Sequence, residues 1–525
     1  MSQHCTSRKS KGPRPWSGSD VPSSCPPSCR ALLILSLAFY PLGCRQQAAF
    51  SGAAATNSNV VFSAGEVSAT ANPLVAKYTF SSPVDADVTI EFGPDATYGL
   101  QTWTVATPPG GGEVSILVAG MRQFVTYHMR AIVQYGSGQV FRDSDHTFTT
   151  QGLPPSNFPQ FTVTRNGKSN NGGVELLDLA RTTTLPAAVV DLDGNVVWYY
   201  DYDRSFPNPV RPLPNGHIEI TTGSQEIREI DLSGATIREL TIPDMNARLA
   251  DAGSSLALSS FHHDVLPLMN GHLVVLCRED KVYNLAEVAG STTVGGDVLV
   301  DLDRNWKPVW TWSAFDHLDV NRHPMDVNDW THGNALIYSP ADHNLLLSMR
   351  NQHWILKIDY ADGKGSGDLL WRLGEGGDFT LVGGLSNEWF HGQHFPSIIH
   401  ELETNQLQLA VFDNGARTQD GTVCTEFSGA CSSRPLVLRI DEAARTAEIV
   451  WQYELGVYSS WGGSIEYLPN GNIEFDLSNP YPNLMMSRAM EMTENGHETV
   501  WQLDLSGNLA YRAYRIPSLY PGVQW

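Results

Sequence analysis

The chain has few charged residues, and basic residues are the scarcer kind. Asp, Glu, Lys and Arg make up only 17% of its 525 residues, and 56 acidic against 34 basic side chains give a formal net charge of −22. Nucleic acids bind proteins through basic surfaces, so this balance argues against a nucleic-acid partner. A hydrophobic content of 42% with 10% aromatic residues is typical of a globular, β-rich protein with room for a second domain.

Near the N-terminus the hydrophobic run is too short to span a bilayer. Residues 31–40 are apolar and follow several basic residues, which is typical of the core of a signal peptide. The run ends at Leu42-Gly43-Cys44, a sequence that resembles a bacterial lipoprotein cleavage site with Cys44 acylated. We therefore expect an exported protein, periplasmic or envelope-attached, with a signal peptide over residues 1–44 and a flexible tether over residues 45–57.

Cysteine is also scarce, and its spacing excludes one class of metal site. Beyond the predicted signal peptide the chain has no Cys-x-x-Cys pair, so we expect no zinc–thiolate site. Export permits disulfides, and Cys424 and Cys431 lie in one polar loop, where we expect them to pair. Cys277 lies in an apolar run and is predicted to be a buried thiol.

A two-part signal recurs along most of the chain. Hairpin turns of the Asn-Gly type, which need φ > 0 at their central positions, occur at residues 214–217, 269–272 and 469–472. An acidic turn followed by an apolar strand, with a Trp in all but one copy, begins at Asp191, Asp231, Asp301, Asp359, Asp441 and Glu494. Six copies predict an all-β, six-bladed β-propeller over residues 158–525, with an array of β-sandwiches as the alternative.

Residues 58–152 show a different pattern of short segments that alternate apolar and polar residues. This alternation predicts a small β-sandwich. The segment resembles a fibronectin type III domain, with Tyr127 at the place of a tyrosine corner. We expect it to be a spacer or a packing partner for the propeller.

Three histidine blocks occupy equivalent positions in the repeat. The His262-His263 pair, His332 and His394 each precede or open an apolar strand that is followed by a turn and a second strand. Equivalent positions of a radial repeat meet near its axis, so we expect these imidazoles to line one mouth of the channel. Alternation along the strand predicts that His262 points to the axis, unless a bulge exchanges it with His263. Asp264 either orients His263 or caps a turn.

Short motifs surround two of these histidines. They are Asp-Trp-x-His-x-Asn at 329–334, Ser-x-Arg-x-Gln at 348–352, and Gln393-His394 followed by Phe-Asp-Asn-Gly at 412–415. Together they resemble the bacterial arylsulfotransferases that do not use the nucleotide sulfate donor. The resemblance covers the predicted propeller, extends to a closing strand at residues 511–517, and implies an exported enzyme with an N-terminal β-domain.

The resemblance implies a ping-pong mechanism. His394 would attack the sulfur of an aryl sulfate, and a phenolic acceptor would take the sulfuryl group from the resulting sulfohistidine. Further catalytic roles fall on His332, Arg350 and His262, and no metal or other cofactor is implied. The chemistry fits these residue types, because sulfuryl transfer spreads negative charge over three oxygens that a guanidinium fork can contact, and because a second imidazole can exchange a proton with the phenol.

Other residues near the same strand starts are predicted to contact the substrate. These are His263, Asn334, Trp330, Trp461 and Phe395, of which the aromatic rings could sandwich an aryl group. Asp413 and Asn414 are predicted to form a turn.

The residues alone leave two other functions open. One is a metal- or quinone-dependent propeller oxidoreductase with His262, His332 and His394 as ligands. The other is a non-catalytic propeller that binds glycans or proteins at the envelope. Arg350 argues against a metal site, because its positive charge would repel a metal ion if the guanidinium faces the three histidines.

Overall fold

The computed structural model describes residues 60–154, 158–167, 171–180, 185, 187–201, 209–286, 290–385, 388–403, 405–416, 423–424 and 429–525. The predicted signal peptide, Cys44 and the tether lie outside these residues. The described part has 35 β-strands, two α-helices and two short 3-10 turns. The prediction of a nearly all-β protein is therefore confirmed.

The first nine strands form an N-terminal unit of two antiparallel sheets. They are β1 (Glu66–Ala69), β2 (Ala76–Ser82), β3 (Ala86–Gly93), β4 (Leu100–Gln101), β5 (Val105–Ala106), β6 (Gly112–Val118), β7 (Thr126–Tyr135), β8 (Gln139–Arg142) and β9 (His146–Thr149). One sheet has the order β1-β2-β6, and the other β4-β3-β7-β8 with β5 and β9 at its edges. Alternate side chains of β2, β3 and β7 are buried between the sheets, and the Tyr127 hydroxyl accepts the Arg122 N–H at 2.9 Å.

The next strands and the two helices follow after residue 159. They are β10 (Gln160–Arg165), β11 (Val174–Ala180), β12 (Ala187–Asp191), β13 (Val196–Tyr200), β14 (Val210–Pro212), β15 (Ile218–Thr222), β16 (Glu226–Ile230), β17 (Thr236–Thr241), α1 (Ile242–Asp251), β18 (Leu258–Pro267), β19 (Leu273–Tyr283), β20 (Thr292–Leu302), β21 (Pro308–Ser313) and α2 (Ala314–His317).

The remaining strands continue to the C-terminus. They are β22 (Gly333–Ser339), β23 (Asn344–Met349), β24 (Trp354–Ile358), β25 (Leu369–Gly374), β26 (Thr380–Leu381), β27 (His394–Glu403), β28 (Gln406–Asp413), β29 (Arg434–Asp441), β30 (Thr446–Gln452), β31 (Ser464–Tyr467), β32 (Ile473–Ser478), β33 (Met486–Met492), β34 (Thr499–Ser506) and β35 (Leu509–Ile516). The 3-10 turns are Arg350–Gln352 and Ala361–Gly363.

Strands β10 to β35 form six sheets of four or five strands. Their orders are β13-β12-β11-β35 (sheet I), β14-β15-β16-β17 (II), β18-β19-β20-β21 (III), β22-β23-β24-β25 (IV), β26-β30-β29-β28-β27 (V) and β10-β34-β33-β32-β31 (VI). The C-terminal strand β35 pairs with β11, and β10 pairs with β34. The C-terminal strand therefore completes sheet I, whose other strands come early in the region. The first strand, β10, completes sheet VI, whose other strands come near its end.

The Trp and the acidic turn of the repeat connect neighbouring sheets. In five sheets, the Trp donates its indole N–H to the acidic turn of the next sheet. Sheet II lacks the Trp, and there the guanidinium of Arg238 donates instead. The bonds are Trp198 to Leu232 O (2.8 Å), Arg238 to Arg304 O (2.7 Å), Trp310 to Gly365 O (3.3 Å), Trp371 to Glu442 Oε1 (3.1 Å), Trp451 to Glu494 O (3.0 Å) and Trp501 to Leu192 O (2.9 Å). The last bond returns from sheet VI to sheet I, so the contacts run in a cycle.

One strand of each sheet lies at the inside of this cycle. Strand β14 contacts β18, and the contacts continue through β22, β27 and β31 to β35. The Tyr514 hydroxyl of β35 donates to the Val210 carbonyl of β14. These six inner strands carry the candidate site.

Cys424 and Cys431 form a disulfide with Cα atoms 6.3 Å apart, and Cys277 is a buried free thiol, both as predicted. Within the described residues, no helix is long and apolar enough to span a membrane.

We expect the disulfide to contribute modestly to stability. Its cysteines are separated by only seven positions. Closing so short a loop lowers the conformational entropy of the unfolded chain and stabilises the folded state by about 2 kcal/mol. The double variant Cys424→Ser/Cys431→Ser should lose roughly that free energy of unfolding in urea titrations, with Cys277→Ser as the thiol control. Two free thiols at Cys424 and Cys431 after non-reducing digestion would contradict the bond.

Candidate active site

The candidate site lies where the inner strands β18, β22 and β27 begin. Their pairing is irregular there: the register shifts between Phe261 and Val265 in β18, and between His394 and Ser397 in β27. His263 has a positive φ of 52°, which is uncommon for a residue other than glycine. Bulges redirect side chains, so simple strand alternation does not hold at this level.

The bulge in β18 determines which histidine of the pair joins the others. The His263 ring lies 4.6 Å from the His332 ring and 5.7 Å from the Tyr511 ring, centroid to centroid. His262 lies behind it, with its Nδ1 2.9 Å from His263 Nδ1 and its Nε2 3.3 Å from Asp297 Oδ1. The structure thus places His263, rather than His262, in the cluster. Burial, and then the charge of His332, hold the pKa of His263 well below 6.5.

His332 forms a carboxylate–imidazole pair. Its Nδ1 hydrogen-bonds Asp329 Oδ2, while Asp329 Oδ1 accepts a bond from Arg278 Nη1 at 3.0 Å. Burial raises the pKa of Asp329, but the bond to His332 and the nearby cations outweigh it and lower that pKa overall. Since Nδ1 is occupied, Nε2 is the nitrogen of His332 left for a reacting group, and Asp329 can stabilise an imidazolium there.

His394 is held as one tautomer. Asn414 donates its Nδ2 to the carbonyls of Ser459 (2.8 Å) and Gly462 (3.1 Å), so its Oδ1 must face His394 Nδ1, 2.7 Å away. Nδ1 therefore carries the proton, and Nε2 carries the lone pair, which accepts the Gly462 N–H at 3.3 Å. Burial and the Arg350 cation keep the pKa of His394 well below 6.5. Asn414, predicted only as a turn former, thus orients the imidazole.

Arg350 provides a buried cation at the same level. It opens a 3-10 turn after β23, and its backbone N–H bonds the His332 carbonyl at 3.1 Å. Its Nη1 and Nη2 donate to Asn351 Oδ1 and the Ser460 carbonyl. Its Nε is buried and has no hydrogen-bond partner among the described residues. Burial lowers the pKa of Arg350 below its ordinary value, but a guanidinium remains charged at neutral pH.

Tyr511 of β35 lies among these groups, although the sequence assigned it no role. Its ring is 5.7 Å from the rings of both His263 and His394, and it stacks on Trp461 at 6.0 Å with an interplanar angle of 17°. Its hydroxyl is buried without a hydrogen-bond partner in the part of the chain described. Trp461 and Tyr511 thus form a flat aromatic surface beside the histidines.

Two other predicted substrate-binding residues have structural contacts. Asn334 is fully buried and donates its Nδ2 to the Gln393 carbonyl at 2.7 Å, which ties β22 to β27. Trp330 is fully buried in a hydrophobic cluster, and its indole N–H donates to the Arg322 carbonyl at 2.8 Å. The structure therefore places Trp330 in the core next to the site rather than on its surface.

A buried ionic layer joins the inner strands beneath the histidines. Asp264 is fully buried and accepts bonds from Arg211 (2.7 Å), Arg512 (3.3 Å) and the Leu336 N–H (2.7 Å). Arg211 and Arg512 lie on β14 and β35, so Asp264 connects four inner strands. It neither orients His263 nor caps a turn.

Arg512 also supports the histidines directly. Its Nη2 donates to the backbone carbonyls of His263 and Asn334. The Phe395 ring packs on the guanidinium groups of Arg512 and Arg211, at 4.6 and 5.0 Å from its centroid. The structure thus places Phe395 against the ionic layer, not with Trp461.

The site combines neutral imidazoles with fixed cations. His263 and His394 stay uncharged near neutral pH, while Arg350 and Arg512 remain positive. Such a site suits an anion with several oxygens beside a nucleophilic nitrogen. Among the residues that can be described, no group of three or more His, Cys, Asp or Glu side chains is arranged to hold a metal ion.

Comparison with known proteins gives one family. The model of the arylsulfotransferase (ASST) family matches residues 162–515. Two similar solved structures are dihydro-heme d1 dehydrogenase NirN in complex with DHE, at 12% identity over 69% of this chain and 83% of that chain with a TM-score of 0.32, and an ACO/RPE65 chimera, at 10% identity over 86% of this chain and 94% of that chain with a TM-score of 0.32. These two likenesses are too weak to carry an argument. No curated protein matches the chain.

We expect His394 to be neutral, with its proton on Nδ1, at pH 6.5 and well below it. Asn414→Asp places a carboxylate at Nδ1 and should raise the pKa of His394, because the charge stabilises the imidazolium. Nitrogen-15 NMR of histidine-labelled protein measures both properties, with His394→Gln to assign the signal and the exposed Asn305→Asp as control. A protonated His394 at pH 6.5, or a proton on Nε2 alone, would contradict the geometry.

Proposed function

We propose that this chain, which belongs to the arylsulfotransferase family and is an aryl-sulfate sulfotransferase, works by a ping-pong mechanism through a sulfohistidine on His394. The observation that carries the proposal is the lone pair on His394 Nε2, fixed by the bond of Nδ1 to Asn414. An imidazole must be unprotonated at the attacking nitrogen.

In the first step, Nε2 of His394 bonds to the sulfur of the aryl sulfate as the bond from sulfur to the aryl oxygen breaks. A protonated His332 gives its Nε2 proton to the departing phenolate. In the second step, the neutral His332 takes the proton of the incoming phenol, whose oxygen attacks sulfur as the sulfur–nitrogen bond breaks. The bond between His332 and Asp329 supports this acid–base role, since a carboxylate stabilises the imidazolium that donates the proton in the first step and forms again in the second.

The buried Arg350 is proposed to stabilise the negative charge on the sulfuryl oxygens. Arg350 has an unpartnered Nε within the described structure, and its position is fixed by the backbone bond to His332. A preorganised donor in a site of low dielectric constant stabilises developing charge without reorganisation. Trp461 and Tyr511 are proposed to hold the aryl ring, which their stacked arrangement favours. His262 supports His263 through their shared hydrogen bond.

We extend the proposal to the architecture and location. Six sheets joined in a cycle support a six-bladed propeller over residues 158–525, and the two sheets before it, with the Tyr127–Arg122 bond, support a fibronectin type III-like domain over residues 58–152. The sequence of the N-terminus supports export, with a lipid anchor at Cys44.

The direct test is transfer from 4-nitrophenyl sulfate with and without phenol. Release of nitrophenol that depends on phenol, with phenyl sulfate formed in equal amount, is expected for the protein and should be lost in His394→Gln. The exposed His343→Gln is the matched control, because its side chain is 57% exposed. Release of nitrophenol at the same rate with and without phenol would indicate hydrolysis. An active His394→Gln variant would rule out His394 as the nucleophile.

Arg350→Lys should retain the fold but lose about 10²-fold in kcat, because an ammonium cannot reproduce the donor geometry of the fork. Steady-state kinetics with 4-nitrophenyl sulfate measure this loss, and Arg439→Lys, which changes an exposed arginine of β29, is the control. A loss of only a few-fold in kcat would show that Arg350 does not stabilise the charge on the sulfuryl oxygens.

Asp329→Asn should penalise poor leaving groups more than good ones. Without the carboxylate, His332 is a weaker partner for the phenolate, and positioned acid–base catalysis contributes about 10²-fold or more where a proton is needed. The measurement is the slope of log kcat/KM against the pKa of the leaving phenol, which should steepen. An equal loss for all donors, or a steeper slope in the exposed Asp326→Asn control, would argue against the assignment.

A further inference from the structure

A cavity lies further along the same inner strands, on the other side of the ionic layer from the histidines. Its volume is about 570 Å³, which is in the range of small-molecule sites. We call it the distal cavity. The later parts of β18, β22 and β27 line it with apolar side chains that include Leu266, Ile337 and Ile398, together with the Phe395 ring.

The distal cavity is separate from the sulfuryl-transfer site. Asp264 and Arg512 lie between them, and Arg512 holds the carbonyl of His263. None of the residues proposed to act on sulfur or on the phenol lines the distal cavity. Binding of a ligand in the distal cavity is therefore independent of the transfer mechanism.

One cation faces this apolar space. Arg211 is the only charged residue among the described lining residues, and its side chain is 13% exposed. Its Nε and Nη2 both bond Asp264 Oδ1, whereas Nη1 bonds no residue that the structure describes. The rings of Phe395 and Tyr514 flank the guanidinium at 5.0 and 5.6 Å, which holds the group in one orientation.

Buried acids surround the two arginines of the ionic layer. Arg211 and Arg512 share the single carboxylate of Asp264. Four other buried acids nearby are only partly ionised near neutral pH, because burial raises the pKa of Asp178 and of Glu466 to about 7, that of Asp476 to about 8 and that of Glu219 well above its ordinary value. A partly desolvated cation with a free donor favours an anion beside it.

We propose that the distal cavity binds a small amphipathic monoanion, with an aromatic or aliphatic body against Leu266, Ile337 and Ile398 and a sulfonate or carboxylate head on Arg211 Nη1. The apolar walls account for the body, and Arg211 Nη1, which bonds none of the described residues, accounts for one charged head. A dianion or a fully polar ligand would leave charge or hydrogen-bonding groups unpaired against the apolar walls.

The probe is 8-anilinonaphthalene-1-sulfonate, whose sulfur is bonded to carbon and cannot be transferred. Fluorescence titration of the whole protein should show one saturable site. Arg211→Gln should weaken it about tenfold or more, because a charge-assisted contact is lost. Ile398→Trp should abolish it by filling the cavity while changing the rate of sulfuryl transfer less than twofold.

Matched controls are Arg439→Gln and Val309→Trp, which change an exposed arginine and a 51% exposed apolar residue and should bind the probe like the parent protein. If Arg211→Gln fails to fold, Ile398→Trp alone decides. Absence of saturable binding, equal affinity in Ile398→Trp, or loss of binding in Arg350→Lys instead would overturn the proposal. Loss of transfer activity without loss of probe binding would count against the mechanism and not against the distal cavity.

Discussion

The hydrogen bond between Asn414 and His394 is the contact on which the chemistry of the site depends. Asn414 cannot turn its amide over, because its Nδ2 already donates to the carbonyls of Ser459 and Gly462. Those carbonyls precede β31, the inner strand of sheet VI, whereas His394 opens the inner strand of sheet V. The reactive nitrogen of one sheet is thus selected by the backbone of the next, so the nucleophile exists only when the two sheets are correctly docked.

Buried ionic groups hold the inner strands in the register that this docking needs. Besides Asp264 with Arg512, the Arg515 guanidinium bonds Glu175 and lies 3.2 Å from Glu474, with all three side chains almost fully buried. A buried charge is costly unless it is paired, and removal of one partner typically costs several kcal/mol. Strands that slid or separated would leave such charges unpaired. The same low dielectric environment strengthens the attraction of fixed cations for a sulfate group.

The sequence predicted the class of fold and the convergence of the histidines, but not the direction of each side chain. Equivalent positions in a repeat indicate where residues meet, and this was enough to group the His262-His263 pair with His332 and His394, although His262 was the member predicted to face the axis. The order of His262 and His263 depends on a bulge, at which the two-residue alternation of a strand fails. Trp330 adjoins His332 in sequence yet points into the core. Asn414 acts through contacts between sheets, and a single sequence contains no local sign of such contacts.

The repeat also shows why one copy could lack its Trp. An indole N–H that reaches the turn of the next sheet explains why acidic turn and Trp recur together, and Arg238 provides the same donor from sheet II. The physical requirement is a donor at that position, which a search for Trp alone does not reveal. If the repeat is defined by a hydrogen-bond donor at this position rather than by Trp, its sixth copy is complete, with Arg238 as the donor.

The stereochemical course at sulfur reveals whether the sulfuryl group passes through His394. An aryl sulfate made chiral with three oxygen isotopes would be transferred to a phenol, and the configuration of the product determined. Two successive in-line displacements, one onto His394 and one off it, predict retention of configuration. Inversion would mean a single direct displacement between donor and acceptor, and would contradict the sulfohistidine.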